Sequence, residues 1–216
     1  PAKKNERANK LSSINVKTVI FNPSLIKLNI SIFSSHLILM ANFVVIPITL
    51  KEGIQIEPAI HWQVYLTAIF LSLFIMVPFM VFGERLNKEK LFLRFSIILI
   101  MLSQIGLALF ELSFNLVVLF LILFFGAFNY LEALLPSMVS KTTHQKTKGT
   151  ALGVYSTSQF IGIFMGGLIG GFFFQHFGLA SVHVICLFMT FFWICLIVVL
   201  SKMESLSKNE LEEEAV

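Results

Sequence analysis

Long apolar stretches separated by short polar ones are the dominant pattern along this chain. Each stretch is close to the roughly 20 residues that a helix needs to cross the ~30 Å hydrocarbon core of a bilayer. Unbroken runs such as LFLRFSIILIMLSQIGLALF lack the alternation of period two that membrane β-strands show, so they favour helices. The pattern predicts six spans at about residues 24–50, 60–82, 91–110, 116–139, 150–174 and 179–200.

Polar segments flank this predicted bundle of residues 23–201. Residues 1–22 are predicted to form a linker or arm, and residues 202–216 a solvated tail. Asn22 and Pro23 are the residue types expected at the N-cap and first helical position of span one. With 56% hydrophobic and 13% charged residues and a mean hydropathy of +0.86, the composition is far from that of a soluble domain. The chain is therefore predicted to be an all-α integral membrane protein with six transmembrane helices.

Basic residues are concentrated at the span ends that share one side of the predicted bundle. If consecutive helices alternate in direction, all of the 16 Lys and Arg residues except Lys51 fall on that side. Lys and Arg resist translocation, so the basic side is expected to be cytoplasmic. We therefore predict a multi-pass protein of the inner (plasma) membrane, with both termini and the loops at residues 83–90 and 140–149 in the cytoplasm.

Span five is unusually rich in glycine. Seven of the chain's 12 glycines lie within residues 149–171. A spacing of four residues aligns them on a helix in two neighbouring rows, Gly162, Gly166 and Gly170 in the first and Gly167 and Gly171 in the second. Because small residues let another backbone approach closely in lipid, the rows predict a helix-packing face. Such a face is also suited to sliding during a conformational cycle.

Sequence motifs of enzymes are not found in this chain. It contains no HExxH, GxSxG, Walker loop or dinucleotide fingerprint, so neither an enzyme nor a metal or other cofactor is predicted, and no nucleic acid partner is expected. Cys186 and Cys195 are nine residues apart in span six. That spacing corresponds to about 13 Å along a helix, which is beyond the reach of a disulfide.

Four stretches together resemble the C-terminal half of a major facilitator superfamily transporter, most like its YajR-type and drug:proton antiporter branch. They are SSHLILMANFVVIPITL, VPFMVFGERLNKEKLF, FFGAFNYLEALLPSMVSK and KGTALGVYSTSQFIGIFMGGLIGG, within about residues 20–200. The superfamily's loop motif has Gly, three residues, Asp-Arg, one residue, Gly and then basic residues. The matching positions here are Glu84 and Arg85 for Asp-Arg, Lys88 and Lys90 for the basic end, and Met80 and Asn87 for the two glycines.

The resemblance implies that the six spans are helices seven to twelve of a twelve-helix transporter. Such a transporter has two six-helix halves, each built from a 3+3 inverted repeat. The missing N-terminal half is then the main protein partner, and the glycine face of span five is expected to pack against it. The implied function is proton-coupled export of small amphipathic molecules by alternating access, with H⁺ as the coupling ion. The alternative is a non-transporting or regulatory membrane module that binds partner helices through its glycine-rich face.

Polar residues at membrane depth are the candidates for proton or substrate contact, because burying them in lipid is costly. His36 lies near mid-bilayer, and an imidazole with its ordinary pKa of about 6.5 can carry a proton; a neutral packing histidine is the alternative. Glu132 fits either an ion pair with Arg85 or Arg94 or a proton-binding carboxylate. The remaining candidates are Asn42, Asn129, Tyr130, Tyr155 and Gln159.

Overall fold

The computed structural model describes residues 19–109 and 113–213, with side chains described as far as Lys202. The six long helices in this part of the chain are α1 (Pro23–Ile48), α2 (His61–Arg85), α3 (Glu89–Leu109), α4 (Phe114–Thr142), α5 (Lys148–Phe177) and α6 (Leu179–Glu213). A π-helical turn, Thr49–Gly53, extends α1, and a 3₁₀ turn, Pro58–Ile60, precedes α2. All six helices are long and apolar enough to cross a membrane, which confirms the predicted all-α fold.

The start of α1 agrees with its sequence signal. The Oδ1 of Asn22 accepts hydrogen bonds from the backbone N–H groups of Ser24 at 2.9 Å and Leu25 at 3.3 Å. Pro23 occupies the first helical position, where a missing N–H carries no penalty. At the other end of the chain, α6 continues to Glu213, so part of the predicted tail is helical. Residues 1–18 of the predicted arm and residue 110 at the predicted end of span three lie outside the described residues.

Helix α1 is the central helix of the bundle. It packs most extensively against α5 and also contacts α6 and α4. In its most apolar segment, 61% of the residues are buried, against 17% in the corresponding segments of α2 and α5. Hydrogen bonds between side chains or backbone groups of different helices reinforce the packing. Trp193 Nε1 donates to Ser31 Oγ at 3.2 Å, and Ser103 Oγ donates to the Phe120 carbonyl oxygen at 2.8 Å.

The first glycine row packs against the backbone of α1. A Cβ atom added at each of these glycines would overlap with an α1 residue. The opposed pairs are Gly162 with Phe33, Gly166 with Leu37, and Gly170 with Ala41. Both members advance by four residues, so the two helices run parallel in a constant register over three turns. This packing limits the expectation that much of the glycine face meets the missing half, because α1 already covers its first row.

The second glycine row is open. A Cβ atom at Gly167 or Gly171 would meet nothing within 4 Å. Around them on α5, Phe160, Phe164 and Leu168 are all more than half exposed. Helix α5 therefore has one face closed by α1 and another that no part of the described chain covers.

The connection between α2 and α3 is a tight turn in which Asn87 has a left-handed backbone conformation, with φ of 52°. The N–H of Lys88 donates to the Gly83 carbonyl oxygen at 2.9 Å and closes the turn. Asparagine adopts this conformation more readily than other non-glycine residues do. The residue that stands at a glycine position of the loop motif therefore keeps the backbone geometry that a glycine would allow.

Asn87→Val is expected to lower the free energy of unfolding by about 1–2 kcal/mol, because a β-branched side chain is strained at positive φ. Asn87→Gly should leave stability unchanged or slightly higher. The neighbouring Leu86→Val provides the control, since Leu86 has a φ of −91°. Equilibrium unfolding of the full-length protein in mixed micelles measures all three. Equal losses for the two valine variants would contradict the conformational explanation.

Candidate functional site

Three of the predicted polar residues meet where α1, α4 and α5 adjoin. The Nε2 atom of His36 on α1 lies 2.8 Å from Nε2 of Gln159 on α5 and 3.6 Å from Oε1 of Glu132 on α4. Gln159 precedes the first glycine row by one turn, so the close approach of α5 to α1 brings its amide within reach of the imidazole. The Phe128 ring packs edge-on against His36, with ring centroids 5.2 Å apart.

The hydrogen bond of His36 Nδ1 determines whether Nε2 donates or accepts a hydrogen bond. His36 Nδ1 lies 3.2 Å from the Ile32 carbonyl oxygen. A carbonyl oxygen only accepts hydrogen bonds, so Nδ1 carries the hydrogen. In the neutral ring Nε2 is then an acceptor, and the amide N–H of Gln159 is its donor. A neutral His36 therefore has both ring nitrogens hydrogen-bonded although the side chain is buried.

Glu132 has an incompletely satisfied carboxyl group. Its side chain is 35% exposed, yet its Oε1 atom is buried and has no hydrogen-bond partner among the described residues. The 3.6 Å separation from His36 Nε2 is longer than a hydrogen bond. In the described part of the chain the basic side chain that contacts Glu132 is His36 and not Arg85 or Arg94, and the contact is an ion pair only when the imidazole is protonated. A proton bound to His36 Nε2 or to the Glu132 carboxyl group would provide the donor hydrogen that a hydrogen bond between the two side chains requires.

Tyr155 and Asn42 are the other candidates buried in this part of the bundle. Tyr155 is buried one turn before Gln159 on α5, so it extends the row of polar residues on this helix toward the start of α5. Asn42 lies six residues beyond His36 on α1, and neither atom of its side-chain amide has a hydrogen-bond partner among the described residues. Asn42 is therefore an unsatisfied polar group on the same helix as His36.

Asn129 and Tyr130 do not join this group. Asn129 Nδ2 donates to Ser72 Oγ on α2 at 3.2 Å. Tyr130 packs against the rings of Phe79 and Phe92, at centroid distances of 5.7 and 6.5 Å. A helix turns by about 100° per residue, so Tyr130 lies on the opposite side of α4 from Glu132. The two residues therefore serve the packing of α4 against α2 and α3.

At one end of the bundle, the start of α3 meets the end of α4. Lys141 Nζ lies 2.7 Å from Glu89 Oε1 and ties these two helices together. The loop-motif residues Glu84, Arg85, Lys88 and Lys90 are all exposed at this end, which we call the basic end. Sequence reasoning sought an ion pair here but overlooked Glu89, although an acidic residue in the first turn of a helix is a recognisable signal.

Sequence reasoning also overlooked a buried polar pair between α3 and α6. His183 Nδ1 lies 3.2 Å from Gln104 Oε1, and both side chains are fully buried. The sequence does show two polar residues inside otherwise apolar spans, which marks each of them as a candidate. It does not indicate that these two spans lie next to each other. Among residues 19–109 and 113–202, no three His, Cys, Asp or Glu side chains cluster closely enough to hold a metal ion.

The sequence is similar to a transporter family and to individual transport proteins. Residues 28–215 match the model of the Major Facilitator Superfamily. The chain is 42% identical over 153 residues to the inner membrane transport protein YajR of Escherichia coli (strain K12), covering 71% of this chain and 34% of that protein. It is 34% identical over 161 residues to an uncharacterized transporter of Buchnera aphidicola subsp. Baizongia pistaciae, covering 73% of this chain and 40% of that protein. The chain thus spans less than half the length of these relatives.

Proposed function

Because this chain belongs to the Major Facilitator Superfamily, we propose that it forms one six-helix half of a secondary active transporter that exports small amphipathic molecules in exchange for protons. The observation that supports proton coupling is the meeting of His36, Gln159 and Glu132 at membrane depth. Ionisable groups in this setting are costly and usually functional. Their positions on three different helices allow one proton to affect how those helices contact each other.

Protonation changes the hydrogen-bond partner of His36. The second proton converts Nε2 from an acceptor into a donor, so it can no longer accept from the Gln159 amide N–H. The Glu132 carboxylate, 3.6 Å away, is the nearby anionic acceptor. Proton binding therefore weakens a contact between α1 and α5 and strengthens one between α1 and α4. That exchange is the means by which we propose that proton binding is coupled to helix movement.

Glu132 is also the group suited to an amphipathic cation. Its side chain is partly exposed, and the ring of Phe128 lies one turn before it on α4, beside His36. A carboxylate next to an aromatic ring can bind a cation that has an apolar body. Substrate and proton then compete for the same carboxylate, which gives exchange rather than cotransport.

The exposed apolar faces of α2 and α5 support a twelve-helix assembly. Large side chains on these helices remain uncovered by the described chain, namely Phe70, Phe74, Val77, Phe160, Phe164 and Leu168. We assign part of this surface to the missing N-terminal half and the rest to the lipid bilayer, with the basic end in the cytoplasm. The alternative of a non-transporting module is weaker because α1 covers the first of the two glycine rows, so that only the shorter row of Gly167 and Gly171 is left for a partner.

Efflux by the full-length protein in proteoliposomes tests this function, with ethidium and tetraphenylphosphonium as the transported probes. We expect Glu132→Gln and His36→Gln each to reduce efflux driven by a pH gradient by tenfold or more, and to flatten its dependence on pH between about 5.5 and 8. Glutamine does not bind or release a proton in this pH range, so in either variant no proton can pass between the side chains at positions 36 and 132.

Matched controls separate this effect from a general loss of charge. Glu57→Gln and His176→Gln make the same chemical changes at exposed positions outside the three-residue site. Both are expected to transport like the wild type. If Glu132→Gln and His36→Gln also keep wild-type rates and pH dependence, these residues have no part in coupling.

A further inference from the structure

A small cavity lies between α1, α3, α4 and α6 at the basic end of the bundle. Its volume is about 100 Å³. The apolar residues that line it include Leu28, Leu93 and Ile197, each buried at 5% exposure or less. The other described residues that line it are basic or carry hydroxyl groups, except for Met138, and none of these described residues is acidic: Ser24, Lys27, Ser31, Lys90, Arg94, Thr142 and Ser201. The cavity therefore has an apolar wall and a positively charged rim.

Lys27, Lys90 and Arg94 bring three positive charges to this one cavity. Lys27 and Arg94 are half-buried, and Lys90 is exposed. Within the described residues, neither Lys90 nor Arg94 has an ion-pair or hydrogen-bond partner. A partly buried guanidinium without an acceptor is unfavourable. Such a group is therefore suited to binding an anion that the described chain does not provide.

The described carboxylates of α3 and α4 are engaged elsewhere. Glu132, the partner that the sequence suggested for Arg94, lies beside His36. Glu89, at the start of α3, forms its ion pair with Lys141 at 2.7 Å. Neither residue lines the cavity. The positive charge at this position is consequently not neutralised by either acidic residue of α3 or α4.

The wall of the cavity is held in place by hydrogen bonds. Ser31 Oγ donates to the Lys27 carbonyl oxygen at 2.8 Å and accepts from Trp193 Nε1 at 3.2 Å. Thr142 Oγ1 donates to the Met138 carbonyl oxygen at 2.8 Å. Both hydroxyl groups therefore already donate their hydrogens to backbone carbonyl oxygens. Lys90 and Arg94 provide the hydrogen-bond donors that a ligand would use.

Size and depth suit a small anion. The cavity volume of about 100 Å³ is large enough for a phosphate group. Lys27 is the fifth residue of α1 and Arg94 the sixth of α3, so both lie about 6–8 Å from the starts of their helices. That depth corresponds to the headgroup region of a bilayer that these helices cross.

We propose that this cavity binds a phosphate group, carried by an anionic phospholipid of the adjacent leaflet or free in solution. Arg94 and Lys90 donate to the phosphate oxygens, and the apolar wall contacts the start of an acyl chain when the source is a lipid. Basic pockets between transmembrane helices recognise anionic headgroups in this way. The site differs from the His36 group and does not depend on the direction or coupling of transport.

Binding to the full-length protein in detergent tests the site, measured by native mass spectrometry with three probes: phosphatidylglycerol, phosphatidylcholine and inorganic phosphate. We expect phosphatidylglycerol to bind about tenfold more tightly than phosphatidylcholine, whose ammonium group is repelled by the basic rim. Arg94→Gln should weaken phosphatidylglycerol binding about tenfold, and Lys90→Gln several-fold. Lys90 is exposed, so its variant remains informative if Arg94→Gln fails to fold.

Lys88→Gln is the matched control, because it removes the same charge at the basic end without lining the cavity. It should change the affinity less than twofold. Competition by inorganic phosphate at equal concentration would identify free phosphate as the ligand, whereas failure to compete identifies the lipid. Equal affinity for the two lipids combined with no phosphate binding, or equal losses in Lys88→Gln and Lys90→Gln, would overturn the proposal.

Discussion

Gly166→Ala is expected to lower the free energy of unfolding by about 2 kcal/mol or more, although it adds a single methyl group. The new Cβ would overlap with the Leu37 carbonyl oxygen, which belongs to a helix backbone and cannot rotate away. Helices α1 and α5 would have to separate. The 2.8 Å contact between His36 and Gln159 depends on the same approach, so transport should fall together with stability.

Gly167→Ala is the matched control, one residue further along the same helix. A Cβ there meets nothing within 4 Å, and alanine has the higher helix propensity, so stability should stay the same or rise by up to about 1 kcal/mol. Equilibrium unfolding of the full-length protein in mixed micelles compares the two variants. Equal stability of both would show that α1 and α5 are not in backbone contact.

Trp193→Ala is expected to cost about 3–5 kcal/mol, the largest single loss predicted for this chain. The indole is completely buried, and its N–H links α6 to Ser31 on α1. Removing it leaves a cavity and an unpaired hydroxyl oxygen. Trp193→Phe keeps much of the packing and loses the hydrogen bond, so its cost should be about 1–2 kcal/mol.

The adjacent Phe192→Ala tests whether burial is the reason. Phe192 is 61% exposed, and its truncation should change the free energy of unfolding by less than about 0.5 kcal/mol. The three variants can be compared in one set of unfolding titrations. A loss for Phe192→Ala as large as that for Trp193→Ala would show that α6 packs through a different face.

The helices could be predicted from the sequence because the bilayer fixes the length of an apolar span. Asn22 and Pro23 even mark the first helical residue, since capping depends on neighbouring residues alone. The end of α6 was not predicted. Its polar continuation to Glu213 has neither the apolar length nor a glycine or proline stop that would mark a boundary.

The partners of individual polar residues were less predictable, because helical spacing gives the face of a residue but not the helix opposite. The sequence suggested two ion-pair partners for Glu132, Arg85 and Arg94, but the packing of α4 against α1 places His36 beside it instead. Tyr130 could have been separated from Glu132 by the 100° turn per residue alone. The pairing of Gln159 with His36 depends on which helix the glycines contact, and that requires the tertiary structure.

The backbone contact between α1 and α5 has a consequence for motion. Over three turns the glycines of the first row face the α1 backbone directly, and a shift along the axis would bring larger α5 residues into positions where even a Cβ atom overlaps with that backbone. We therefore expect the two helices to move together as one rigid body if the proposed alternating access takes place. The surface along which other helices move must then lie away from the α1–α5 contact. On α5, the surface left for this movement is the uncovered side that carries Gly167 and Gly171.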